Sequence, residues 1–226
     1  MLFDLRSRGR RRTVQAVYLS LAILMGGGLV LFGVGAGNGF GGILNAFTGN
    51  GSGSTQNQAV SQQETTALKA TRQRPNDPAA WASLVQARWT SATTSGSNYD
   101  SNTGTFTAAG KKKLSELTQA WERYLTLTKN PDANTAILAA RAYAKLGGYA
   151  SAASAWETVA GANPNAPTAF VCLALTSYAA GQTRKGDLAA AKALTLEPKA
   201  GQANIKQTLK QTRGQPQAAQ QVAQQC

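Results

Sequence analysis

Histidine is absent from the 226 residues. That removes the commonest general base and the commonest imidazole metal ligand from any site this chain could build. Acidic residues are scarce, ten against 23 Lys plus Arg, and no two of them stand at an evident catalytic spacing. Cysteine occurs only at Cys172 and Cys226, which form no metal-ligand spacing. No phosphate-binding glycine loop precedes a helix pattern and no nucleophile motif is present. Together these absences exclude the usual hydrolytic, metal-assisted and nucleotide-dependent chemistries, so no enzyme activity and no cofactor are expected. Charge is thin as well, 15% of residues against roughly 25% in a typical soluble protein. Alanine, glutamine, threonine and glycine take its place, a composition suited to close helix packing and to flexible linkers.

The charge that remains is strongly basic, +13. Five positives, Arg6, Arg8, Arg10, Arg11 and Arg12, crowd the first twelve residues beside one acid, Asp4. An apolar run, Val14–Val34, follows them with only Gln15 and Ser20 strongly polar. Twenty-one residues at about 1.5 Å each reach about 31 Å, the depth of a bilayer core. A transmembrane helix over 13–35 is therefore expected, with the arginine tail 1–12 held in the cytoplasm and the rest of the chain on the outer face of the plasma membrane. Cleavage of this segment as a secretory signal is the alternative, although the run exceeds a signal's apolar stretch of roughly 7 to 15 residues. Gly26, Gly27 and Gly28 within the span, and the small-xxx-small pair Gly33 and Gly37, would let a second membrane helix approach closely.

Residues 36–63, rich in Gly, Ser, Asn and Gln and almost without charge, read as a flexible tether. One apolar patch, Phe40, Ile43, Leu44 and Phe47, could lie in the membrane–water interface. From Glu64 to Arg213 the pattern is helical. A first helix over Ala67–Arg74 ends at the breaker Arg74-Pro75-Asn76-Asp77-Pro78, and Pro78 opens the next at a favoured first-turn position. Trp81, Leu84, Val85 and Trp89 continue it at three-to-four spacing. A polar, turn-rich insertion spans 91–110. Its single carboxylate, Asp100, is too little for a calcium site. A second helix then runs from Lys111 to Lys129 with the stripe Leu114, Leu117, Trp121, Tyr124 and Leu125.

Beyond it the landmarks recur. Gly147 and Gly181 lie 34 residues apart, and so do Pro164 and Pro198. Each unit reads as an apolar helix, a glycine turn, an alanine-rich helix and a proline-marked stop. Within 133–166 the small residues Ala139, Ala140 and Ala152 and the aromatics Tyr143, Tyr149 and Trp156 fall at a fixed set of positions. Within 167–200 these become Leu173, Ala174 and Phe170, while Ser177 and Gly186 depart from the set. A 34-residue period built of two helices resembles the tetratricopeptide repeat. The resemblance covers roughly residues 78–200 and extends to membrane-anchored bacterial proteins of that kind.

That resemblance implies an all-α fold, an α-solenoid of about three helix pairs (78–129, 133–166 and 167–200) closed by a cap helix over 203–213. A glutamine-rich tail, 214–226, is expected to be disordered. Cys172 reads as a small core residue and Cys226 as exposed. A disulfide between them is allowed outside the cytoplasm, but the tail's composition gives no reason to expect one. The resemblance also implies a concave groove lined by the first helix of each pair. Transferred residue by residue, its polar and apolar contacts are Gln86, Trp89, Ile137, Arg141, Lys145, Val171, Leu175 and Tyr178, with Arg141 and Lys145 one turn apart and able to hold a carboxylate of a bound peptide. The expected role is a tethered scaffold for a protein or peptide partner, serving translocation or envelope assembly. A structural module adhering to anionic polymer or lipid through its basic surface is the alternative. Nucleic acid is not an expected partner on the outer face.

Overall fold

The computed structural model describes residues 54–94 and 96–226, with side chains from Asn57 onward. The arginine tail, the 13–35 span with its glycines, and the Phe40–Phe47 patch lie outside the described residues. Among the described residues no helix is long and apolar enough to cross a membrane. Nine helices account for most of them: α1 (Ser54–Gln73), α2 (Pro78–Thr93), α3 (Ala108–Leu127), α4 (Ala133–Lys145), α5 (Tyr149–Ala162), α6 (Pro167–Ala179), α7 (Thr183–Leu196), α8 (Lys199–Thr212) and α9 (Pro216–Ala223). A short antiparallel pair, β1 (Tyr99–Asp100) and β2 (Thr105–Phe106), joins α2 to α3. The fold is all-α apart from that hairpin.

Local chemistry sets the helix ends. The Asp77 carboxylate accepts the Ala79 amide at 2.9 Å as Pro78 opens α2. Asp132 accepts both the Thr135 amide, at 2.8 Å, and its hydroxyl, at 2.9 Å, ahead of α4. Such caps satisfy amides that have no partner within the helix. At the other end, α4 and α6 close through one turn geometry. Gly147 (φ +79°) and Gly181 (φ +72°) take left-handed backbone that only glycine adopts readily. The following amides, Gly148 and Gln182, donate at 2.8 Å to the carbonyls of Tyr143 and Ser177, five residues back. This is the Schellman closure, and it recurs at the same 34-residue offset as the helix bounds: Ala133–Lys145 on Pro167–Ala179, and Tyr149–Ala162 on Thr183–Leu196.

Alanine controls the packing. Ala136, Ala139, Ala140 and Ala142 of α4 and Ala152 and Ala153 of α5 have no exposed surface. Side chains this small let paired backbones approach closely, and the aromatic rings of Trp121, Tyr124 and Trp156 fill the wider spaces between pairs. α5 packs on both α4 and α6, so each pair buries its second helix against the next pair.

Three expectations change. α1 begins at Ser54, within the expected linker, because the Gln- and Ala-rich stretch after Gly53 has good helix formers and little to stop them. The insertion is shorter than 91–110: α2 runs to Thr93 and α3 begins at Ala108, Tyr99 meets Phe106 with ring centroids 5.0 Å apart, and Gly110 lies so close under the Asn98 carbonyl that a Cβ would collide with it. The tail over 214–226 is not disordered, since it contains α9, which packs against α6. Pro216 begins that helix and Ala219 and Ala223 are buried.

The two departures in the 167–200 unit are one feature. Tyr178, a place beyond the Tyr143 equivalent, lays its ring where a Cβ on Gly186 would sit. Gly186 takes the position that Ala152 holds one unit earlier. A Gly186→Ala substitution should therefore lower stability by about 1–3 kcal/mol, the usual range for overpacking. In a Tyr178→Ala background the same change should cost almost nothing. Urea denaturation of the single and double variants measures the coupling.

Candidate functional site

Helical spacing places Ile137, Arg141 and Lys145 along one side of α4, and Thr168, Val171, Cys172 and Leu175 along one side of α6. Between these helices runs α5, whose Trp156 and Val159 form the floor of a cleft of about 600 Å³. Ile137 and Arg141 stand on one wall and Val171, Cys172 and Leu175 on the other. Four residues expected in a groove, Ile137, Arg141, Val171 and Leu175, thus converge on one surface. Trp156 Nε1 is buried and finds no acceptor among the described residues.

The remaining boundary comes from the chain's own C-terminal segment. Val222, Gln225 and Cys226 close the far side, with Thr208 of α8 beside them. Cys226 is bonded to Cys172 as a disulfide with the Cα atoms 5.7 Å apart, and it is neither free nor fully exposed as its position suggested. Arg141 Nε donates to the main-chain oxygen of Cys226 at 2.7 Å, and Lys145 Nζ to that of Gln224 at 2.9 Å. Lys145 thus meets the C-cap carbonyl of α9, at the negative end of its helix dipole, and Arg141 meets the main chain two residues beyond it. Gln220 donates to the Ala179 carbonyl at 3.4 Å and Gln224 to the Tyr149 hydroxyl at 3.3 Å. The pair expected to hold a bound peptide holds the backbone of this one.

The other expected groove residues sit elsewhere. Gln86 is exposed on α2 and Trp89 packs half-buried against the core, and neither lines the cleft. Tyr178 is buried against α7, donating at 2.9 Å to Asp187, which also accepts from Arg213 Nε at 2.7 Å and Nη2 at 2.8 Å. Arg213 directly precedes the left-handed Gly214 that turns the chain into α9, so this triad fixes where the C-terminal segment starts. Sequence reasoning missed the floor residues Trp156 and Val159 and the whole of α9. The signal for α9 was present: a Gly-x-Pro stop and start at 214–216, then Ala219, Val222, Ala223 and Cys226 at one-face spacing.

Near the start of α3, a second charged group ties α1 into the fold. Lys113 Nζ lies 2.7 Å from Glu64 and 3.7 Å from Glu116, and Arg88 lies within 4 Å of both carboxylates. Lys113 is therefore paired internally, while Lys111 and Lys112 are exposed. No group of three or more metal-ligating side chains occurs among the described residues. Comparison with family models, with curated proteins and with solved structures finds no match to this chain.

Burial, then the hydrogen bond to Asp187 and its charge, push the Tyr178 hydroxyl up from 10.0 to about 12. The folded chain thus keeps this proton at pH values where the unfolded chain has lost it. Stability that the pair contributes should be intact below pH 10 and should fall as pH rises toward 12. Asp187 shifts the opposite way: the Arg213 hydrogen bond first, then that of Tyr178, hold its carboxyl below the ordinary range. Its contribution is present above the usual carboxylate pKa and is lost as pH falls through the folded value. Urea midpoints measured from neutral to alkaline pH should show a shallower decline in Tyr178→Phe than in the parent. An identical decline in the two proteins would remove Tyr178 from the account.

Proposed function

We propose that this chain is a scaffold of tetratricopeptide type, tethered to the outer face of a bacterial plasma membrane, whose α4–α5–α6 cleft binds a peptide segment of a partner protein. The observation that carries this reading is the seated C-terminal segment. One side of the cleft is already formed by a short helical segment, held by the Arg141 and Lys145 side chains on its main-chain oxygens and by packing on α6. A surface that binds backbone and small side chains in this way is suited to peptide recognition.

The 34-residue recurrence of helix bounds and of the glycine closure supports the repeat assignment. The Cys172–Cys226 disulfide supports a place outside the reducing cytoplasm, in line with the arginine-rich N-terminus and the apolar run after it.

Crosslinking in the membrane fraction, followed by recovery of the full chain, tests the scaffold role. Partners held by the cleft should survive washing in about 0.5 M salt, where charge–charge attraction between exposed groups is largely screened. Val171→Asp should reduce their recovery about tenfold, the effect of placing a charge against a desolvated contact. Loss of every partner at that salt, with Val171→Asp behaving as the parent, would instead favour adhesion to an anionic polymer. Protease added to intact spheroplasts should digest the helical domain without lysis; protection until lysis would place the domain on the inner face.

A further inference from the structure

We propose that α9 is a resident stand-in for the ligand of this cleft, released when the Cys172–Cys226 disulfide is reduced. The ligand it stands in for is a short alanine-rich helix whose carbonyl end faces Arg141 and Lys145. The proposal rests on the peptide-binding reading of the cleft. α9 has eight residues, well short of the roughly 12–15 at which an isolated helix becomes even marginal in water. Of its side chains only Ala219 and Ala223 are buried, and its glutamines contribute two hydrogen bonds of 3.3–3.4 Å. Beyond these, Arg141 and Lys145 reach main-chain oxygens past its end and Val222 packs half-buried against the core, and the disulfide is the one covalent tie that keeps the segment seated.

Its other end is fixed independently, by Arg213 on Asp187 just before the left-handed Gly214. Release is thus a swing about residues 214–215 that leaves α8 in place. The chemistry of the seat defines what replaces α9: two cations for main-chain oxygens at and just beyond a helix C-terminus, and a wall and floor of Val171, Leu175 and Val159 for small apolar side chains.

The reductant is a dithiol. Cys226 is the more accessible sulfur, since Cys172 is buried at 5% exposure. A thiolate of the dithiol attacks Cys226 Sγ, the bond to Cys172 breaks, and the Cys172 thiolate takes up a proton. The second thiol of the reductant then attacks the mixed disulfide and frees Cys226, which is protonated in turn. Two electrons and two protons pass to the protein, and the dithiol leaves as a disulfide.

The test uses the full chain in mild detergent, oxidised or treated with dithiothreitol, with reduction confirmed by thiol alkylation after quenching. Amide exchange over 214–226 reports release. Capture of a fluorescent synthetic peptide of residues 214–226 carrying Cys226→Ser reports the opened cleft. In the oxidised chain the segment should be protected and the peptide should not bind, because the tethered copy competes at an effective concentration near the millimolar range. Reduction should speed exchange across 217–224 by about tenfold or more, and peptide capture should appear. Cys226→Ser should do the same without reductant. A double variant, Ala219→Pro with Cys226→Ser, breaks the helix and keeps the cleft open whatever the remaining contacts hold. If the segment stays protected after both thiols form, the redox gate is wrong; capture by the double variant would then leave the peptide-binding reading standing. Equal capture by oxidised and reduced chains also sinks the gate. Release without capture in any variant overturns the proposal and the peptide-binding reading together.

Discussion

Close approach between helices, allowed by alanine, is the constraint on which the described structure depends. Ala139, Ala140, Ala152, Ala153 and Ala174 show no exposed surface, and each lies where one helix crosses another with little side chain between. Contacts at that distance gain dispersion energy over many atom pairs, yet they leave no room for adjustment. A single added methyl group has to be compensated, as Tyr178 and Gly186 do for each other. The same economy explains the thin charge. Among the charged groups, Asp77 and Asp132 end helices, and Glu64, Lys113 and Arg88 join separate elements.

Pairs built this way bury themselves only against neighbours, which leaves the last one with an unpartnered side. In this chain α8 and α9 both return onto α6. The C-terminal segment therefore completes the core and closes a cleft at once. Its contacts explain why Arg141 and Lys145, exposed cations in the sequence pattern, are committed to backbone oxygens rather than to solvent.

How far the sequence could be read depended on the kind of signal. Helix pairs α4–α5 and α6–α7 were legible because their boundaries rest on glycine and proline, whose backbone limits hold in any context. Half of the cleft was legible because helical spacing alone sets Ile137 with Arg141 and Val171 with Leu175. Tyr178 was misplaced for a reason spacing cannot express: its ring turns toward α7 because Gly186 leaves a space there and Asp187 offers an acceptor. The helicity of α1 and α9 was hidden by composition. Glutamine and alanine serve equally in a loose linker and in a helix, and only tertiary contacts, from Ala67 and Leu68 in one case and Ala219 and Ala223 in the other, decide between them.

The shared turn geometry of the 133–166 and 167–200 units has a bearing on how such a chain could change length. The 133–166 pair ends in elements that match the start of the next pair at a constant offset. Copying it in tandem would present each new neighbour with the surface it already expects. The 167–200 pair has no such freedom. Its Tyr178 is wedged over Gly186, its Asp187 is engaged by Arg213, and its Cys172 is bonded to Cys226. The last two of those commitments are to the closing segment. The array can therefore lengthen by copies of the 133–166 pair, while the 167–200 pair is tied to the segment that follows it.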